Sequence, residues 1–234
     1  MHRRRDVLFA LGIAPFAATM SAEPPQDIVV LVHGLWMTGV ESGLLRSRLR
    51  DDYGFDTRQY SYQTVKIGLD ENVRQLHEFL GTVEGETVHL VGHSLGGLLA
   101  LHTITKFPDH RRGRIVCLGS PLRGSMAARA AAGLPFGEEI LGATMHDAVL
   151  SGGMTEYRGD REVGVIAGTL GMGLGAIIEN LPSPNDGTVA VEETQLPGIK
   201  DHLDVSVSHT GLLVSPLVAS QTAYFLRHGE FARV

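Results

Sequence analysis

Val88-His89-Leu90-Val91-Gly92-His93-Ser94-Leu95-Gly96-Gly97 leads a largely apolar run through a small-residue turn into Leu98-Leu99-Ala100-Leu101. The first four residues read as a strand and Leu95–Lys106 as a helix. A chain with 29 glycines produces Gly-x-Ser-x-Gly readily, so the weight rests on its place between strand and helix. The physical logic is steric. A turn this tight strains the serine backbone and leaves no room for Cβ atoms on the flanking positions. The hydroxyl then stands exposed at the C-terminal edge of a sheet. The next amide, Leu95 N–H, lies at a helix N-terminus, where partial positive charge gathers.

Outward from this turn the chain alternates apolar runs with helical patterns. Ile28–Val32 is apolar and β-branched and reads as a buried strand. Ser42 is placed to cap a short helix carrying Leu45 and Leu49 and ending near Gly54. Thr57–Tyr62 alternates as a strand does, and Leu69, Val73, Leu76 and Leu80 predict a helix over 70–81. Ile115–Leu118, Val163–Ala167 and Val205–Val207 read as further strands, and Leu212 to Leu226 as a closing helix. Such alternation implies βαβ units: an α/β fold with a mostly parallel central sheet and helices on both faces. Residues 121–160 break the rhythm. They are rich in Ala and Gly with Met126, Leu134, Phe136, Ile140, Leu141, Met145 and Met154 among them. They read as a short helical cap, with an ordinary packed helix pair as the alternative.

The 234 residues suit one large domain. Lys plus Arg is 20 against 26 Asp plus Glu, a net charge of -6. That balance argues against a nucleic-acid partner. A hydrophobic share of 43% excludes a disordered chain. One cysteine, Cys117, excludes an internal disulfide and a Cys-rich metal cluster; within an apolar run it reads as a core residue. No metal-ligand spacing stands out, and no cofactor is expected.

The N-terminus carries its own signal. Arg3, Arg4 and Arg5 precede an apolar run from Val7 to Met20, then Ser21-Ala22. A basic start, a short apolar middle and small residues form the pattern of an export signal. The run of about 14 residues falls short of the ~20 needed to span a bilayer. Arg4-Arg5-Asp6-Val7-Leu8 also resembles a twin-arginine signal. Residues 1–22 are therefore expected to be an export signal or N-terminal anchor of a periplasmic or secreted protein, with one domain over 23–234. The alternative is a buried first segment of a cytosolic protein.

A serine hydroxyl needs a base that works near neutral pH, which means histidine, and that histidine needs a carboxylate to hold its tautomer. In a strand–Gly-x-Ser-x-Gly–helix setting the chain order is Ser, acid, His. Among the histidines after Ser94, His209 lies between the Val205–Val207 run and a helix and so can reach the same sheet edge; His202 is the second choice. Asp186, in the tight turn Asn185-Asp186-Gly187, is the leading acid, with Asp201 and Asp204 as alternatives. A second amide donor for a developing oxyanion is expected from the loop after Ile28–Val32, where Gly34 permits a turn that aims Leu35 N–H toward Ser94. His33, at the strand end, reads as bonded to backbone. Leu35, Trp36, Met37 and Leu122 are expected to flank the site as an apolar substrate pocket.

These segments together resemble the α/β-hydrolase superfamily, most closely its bacterial lipase and esterase branch. Val32-His33-Gly34-Leu35, Gly92-His93-Ser94-Leu95-Gly96-Gly97, Asn185-Asp186-Gly187-Thr188-Val189 and Ser208-His209-Thr210-Gly211-Leu212 fall in that order, and Gly119-Ser120-Pro121-Leu122-Arg123-Gly124-Ser125 fits the segment following the next strand. The resemblance implies Ser94 as nucleophile, Asp186 as acid, His209 as base, and Leu35 and Leu95 as oxyanion donors in a serine ester hydrolase acting on lipid-like or fatty-acyl esters. The partners it implies are a small-molecule ester or lipid and a transient membrane-surface contact. A thioesterase or acyltransferase with the same three residues, and a silent hydrolase-fold binder, are the alternatives. Gly171-Met172-Gly173-Leu174-Gly175-Ala176 formally fits a dinucleotide fingerprint, but Pro182 cuts off the helix it would need, so it reads as a loop bordering the site.

Overall fold

The computed structural model describes residues 26–172 and 181–233. Residues 1–22, expected to be an export signal or anchor, and Gly173–Ala176 of the glycine-rich stretch lie outside the described residues.

The apolar run Ile28–Val32 forms β1, buried along its whole length. Its side chains divide by the two-residue strand period. Val30 and Val32 join one core beneath the helices Leu69–Thr82 (α2) and Leu95–Lys106 (α3). Val29 and Leu31 join a second core beneath Gly43–Asp51 (α1) and Pro216–His228 (α7, which follows the single turn Val191–Thr194, α6). Each fully buried Val or Leu contributes roughly 1.5–3 kcal/mol, so this strand cannot be shifted by one residue without exchanging both cores. That is how the apolar pattern fixes the sheet's register.

Among the described residues six parallel strands form one sheet in the order β2-β1-β3-β4-β5-β6. They are β1, β2 (Asp56–Tyr60), β3 (Val88–His93), β4 (Ile115–Leu118), β5 (Val163–Gly168) and β6 (Asp201–Val205). The chain leaves β1 for β2 on one side, then crosses to β3 on the other. Loops after β1 and β3 therefore part at the C-terminal edge, and a crevice opens there between neighbouring strands. Val32 pairs with Gly92, which puts the Gly34 turn beside Ser94.

Three expectations need correction. Val205–Val207 is not the last strand; β6 is Asp201–Val205, and Val207 follows in the exit turn, where Val207 N–H donates to Val205 C=O at 2.8 Å. The strand escapes a hydrophobicity reading because it is the sheet edge. Its polar side chains stay partly exposed or bonded: Asp201 accepts from Phe231 N–H, and His202 Nε2 lies 2.8 Å from Thr194 Oγ1. The closing helix α7 begins at Pro216, after a short 3-10 turn over Gly211–Leu213, because proline opens a helix and does not continue one. Ser215 caps it. Ser42 precedes α1, but its side chain makes no capping bond. The Glu41 carboxylate instead ties down the loop before it, accepting from Thr38 and Gly39 N–H.

Residues 121–160 contain two short helices, α4 (Met126–Ala132) and α5 (Gly137–Met145), followed by a wide turn over His146–Leu150. They are pinned by polar contacts. Asn72 Nδ2–H donates to Thr144 Oγ1 at 2.8 Å, and Leu69 N–H donates to the Asp147 carboxylate at 3.0 Å.

The serine turn is built from backbone. A Cβ on Gly96 would meet the Val32 carbonyl oxygen at 2.3 Å and that of His33 at 2.5 Å, and one on Gly92 would meet Gly97 Cα at 2.4 Å. Backbone cannot step aside without parting β1 from β3. Gly96→Ala is therefore expected to destabilise the fold by about 3 kcal/mol. The chemical-unfolding midpoint measures this, and an unchanged midpoint would contradict the packing described.

Candidate active site

Ser94 occupies the turn between β3 and α3 with φ 53° and ψ -123°. A non-glycine residue in this region is strained and persists only where its surroundings over-determine it. Here Ser94 N–H donates to Leu118 C=O at 2.8 Å, so the neighbouring strand β4 holds the turn in place.

Two backbone amides border the serine. Leu95 is the first residue of α3, where N–H has no intrahelical partner. Leu35 N–H makes no hydrogen bond among the described residues, while the amides on its far side are used: Trp36 N–H donates to Thr64 Oγ1 and Met37 N–H to Gly34 C=O. His33 behaves as its strand-end position predicts. Nδ1–H donates to Gly34 C=O at 2.9 Å, Nε2 accepts from Tyr62 N–H at 3.1 Å, and the ring stacks on Tyr62.

Asp186 and His209 come from separate loops and meet. His209 Nδ1–H donates to Asp186 Oδ2 at 2.7 Å. The other carboxylate oxygen, Oδ1, accepts from Thr188 N–H at 2.9 Å and Val189 N–H at 2.8 Å. Asp186 is 1% exposed, and these three donors compensate its buried charge. Its backbone takes part as well: His209 N–H donates to Asp186 C=O at 2.8 Å. Gly119, at the end of β4 with φ 56°, lets the pair approach. A Cβ there would lie 3.0 Å from Asp186 Oδ2 and 3.2 Å from His209 Nδ1.

Ser94 and His209 line one cavity of about 310 Å³ together with Gly34, Leu35, Trp36, Met37, Met145, Met172, Thr188 and Thr210. Its mouth is apolar. Trp36 is 54% exposed, and Trp36 Nε1–H donates to Ile140 C=O at 2.9 Å, tying the β1 loop to the cap. Leu134 and Phe136 stand exposed on the same cap. Leu122 is not part of this lining. It is fully buried in the core beside α3, because its turn points inward once Gly119-Ser120-Pro121 has left β4. The alternatives His202, Asp201 and Asp204 belong to the edge strand β6, where Asp201 binds Arg233 and Phe231 N–H and His202 faces Thr194. Among the described residues no group of three or more His, Cys, Asp or Glu is arranged to hold a metal ion, and no helix is long and apolar enough to cross a membrane.

One cavity residue went unread in the sequence. His93, the variable position of the serine motif, is buried and places Nε2 3.1 Å from the His209 carbonyl oxygen, its ring centroid 4.7 Å from that of His209. Motif spacing gives no hint of this, since the contact spans 116 positions.

Burial holds His93 at about 3 and lowers His33, His89, His102 and His202 as well. The folded chain thus binds fewer protons than the unfolded one below pH 6.5, the ordinary histidine value. The stability these groups contribute is complete above that pH and declines as the pH falls. For fully buried His93 the loss is about 1.4 kcal/mol per pH unit, roughly 2 kcal/mol between pH 6.5 and 5. Denaturant unfolding at pH 7.5, 6.5 and 5.0 should show this fall, with a shallower slope in His93→Gln; equal stability at all three pH values would contradict it.

The fold and these segments place the chain in the α/β hydrolase family, whose model matches residues 29–218. Among solved structures the chain is similar to a Bacillus licheniformis lipase, BlEst2 in its mature form, at 19% identity and TM-score 0.65, over 88% of this chain and 93% of that one. It is also similar to the metagenomic carboxyl esterase MGS0156 at 19% identity and TM-score 0.59, over 82% and 68%. A third, the pyrethroid hydrolase PytH, matches at 15% identity and TM-score 0.60, over 87% and 98%. No curated protein sequence matches the chain.

Proposed function

We propose that the chain is a serine carboxylester hydrolase that works through an acyl-enzyme on lipid-like or fatty-acyl esters. The observation that carries this reading is the Asp186–His209 bond at 2.7 Å. It occupies Nδ1, fixes the proton there, and leaves Nε2 as the basic nitrogen in the cavity that Ser94 shares.

In this scheme Nε2 of His209 takes the Ser94 hydroxyl proton as Oγ bonds to the ester carbonyl carbon. The carbonyl oxygen gains the electron pair and meets the amides of Leu35 and Leu95. When the C–O bond to the alcohol breaks, His209 returns its proton to the leaving oxygen. Water then adds to the acyl-Ser94 ester by the same route and releases the acid. Asp186 stays ionised throughout and stabilises the imidazolium. Leu35, Trp36, Met37, Met145 and Met172 supply an apolar wall for an acyl chain, which favours lipid-like esters over charged ones. The exposed Trp36, Leu134 and Phe136 suit a transient contact with a membrane surface.

Chromogenic acyl esters of rising chain length, with matching thioesters and amides, test this reading. Turnover of the esters at rates well above the amides is expected; thioester turnover alone would redirect the reading, and no turnover of any substrate would overturn it. The basic-then-apolar start supports export to the periplasm or medium. Mass analysis of exported protein should find residues 1–22 removed, and an intact N-terminus in a cytosolic fraction would overturn that part.

A further inference from the structure

His93 has no part in the proton relay just described, yet it adjoins the serine turn, the loop of His209 and the loop after β1. It is the covalent neighbour of Ser94. Its Nε2 faces the His209 carbonyl at 3.1 Å. Its Nδ1 packs on the β1 loop, where a Cβ on Gly34 would come within 3.1 Å. We propose that His93 is a positioning residue: its Nε2–H, donated to the His209 carbonyl, sets the distance between the base loop and the serine turn. The inference rests on the hydrolase reading above for its catalytic consequence, though not for its geometry.

The chemistry of the two atoms fixes the tautomer. A carbonyl oxygen only accepts, so Nε2 carries the hydrogen and Nδ1 is left with a lone pair. Among the described residues Nδ1 is buried without a partner. An orphaned buried acceptor costs stability, and an apolar side chain of similar size would avoid that cost. What the imidazole supplies and such a filler does not is the Nε2–H bond.

That bond completes the restraint of His209. His209 N–H is held by the Asp186 carbonyl and its Nδ1–H by the Asp186 carboxylate. Both attach it to the acid loop alone. Its carbonyl bond to His93 attaches it to the turn that carries Ser94. Without that tie the base loop is free to shift against the serine turn, which loosens the Asp186–His209 bond and lets the distance to the hydroxyl drift. The ring must also be neutral, since a positive charge 4.7 Å from the His209 ring would oppose the imidazolium formed in each turnover. Burial favours the neutral ring, lowering the His93 pKa to about 3.

Three substitutions separate positioning from filling. The amide of His93→Gln reaches where Nε2 stands, that of His93→Asn reaches only the Nδ1 position, and His93→Leu has no donor. Each is compared with wild type and Ser94→Ala for kcat and KM on p-nitrophenyl butyrate, for the thermal midpoint, and for the low-field proton NMR signal of His209 Nδ1–H, which requires no substrate. The Asn and Leu variants are expected to lose about 10- to 100-fold in kcat, as small misplacements do, with KM within about twofold and the low-field signal broadened. The Gln variant should keep both kcat and signal near wild type. An unchanged kcat and signal in His93→Leu would overturn the proposal. So would a His93→Gln loss as large as that of His93→Leu, with the losses tracking the thermal midpoint. Should wild type show no Ser94-dependent hydrolysis, the hydrolase reading fails, and the NMR signal alone decides: retained in Gln and lost in Leu supports the tie, retained in all three overturns it.

Discussion

Ser94→Ala is expected to lower kcat for ester hydrolysis by about 10⁴- to 10⁶-fold with little change in fold stability. The two halves of this prediction have separate grounds. In the proposed scheme Oγ is the atom that becomes acylated, so its removal loses both acyl transfer and release, and the activity left is whatever the two amides and the apolar wall achieve with water alone. Stability should hold because Ser94 Oγ makes no hydrogen bond among the described residues. Alanine also suffers the same φ 53° strain as serine, so folded-state strain does not change. Parallel measurement of kcat and the thermal midpoint checks it. Equal rates for wild type and variant would dispose of the acyl-enzyme scheme; a lost fold would show that the hydroxyl has a structural role not seen in these contacts.

Asp186→Asn is expected to cost about 10⁴-fold in kcat, for a reason unlike that of Ser94→Ala. The side chain keeps its shape, and its oxygen can still accept from Thr188 and Val189 N–H. The nitrogen that replaces Oδ2 can only donate, so it selects the His209 tautomer with a bare Nδ1. The ring proton then sits on Nε2, where the serine proton must go, and the base is blocked. KM should change little, because Asp186 lies behind the imidazole and does not line the cavity. The expected signature is a kcat loss at nearly constant KM, together with the disappearance of the low-field His209 signal. A variant with wild-type kcat would show that the carboxylate is structural only.

The parts of the fold that were legible in the sequence are those where one physical effect dominates. β1 and β4 are covered on both faces, so their residues are apolar without alternation and announce themselves. The Ser94 turn is legible because sterics allow few alternatives to glycine at 92 and 96. Asp186 and His209 follow from chain order and from turn chemistry that must place polar groups at the strand ends. β6 was hidden because an edge strand answers to solvent as well as to the core. Leu122 was misplaced because an apolar residue near a site reads the same whether it faces substrate or the protein interior. His93 was invisible for a different reason. Its significance is a contact with a carbonyl far along the chain, and main-chain acceptors leave no trace in residue identity.

Trp36 is the only tryptophan in the chain. It stands at the cavity mouth, half exposed, with its indole N–H held by the cap at Ile140. All intrinsic indole emission therefore originates at one point, with no second fluorophore of its kind to dilute the signal. Entry of an apolar ligand, or displacement of the cap, must change the polarity around that ring and sever or retain its single bond. The molecule thus carries a built-in optical probe at its own doorway, and occupancy can be followed by emission wavelength without attaching a dye.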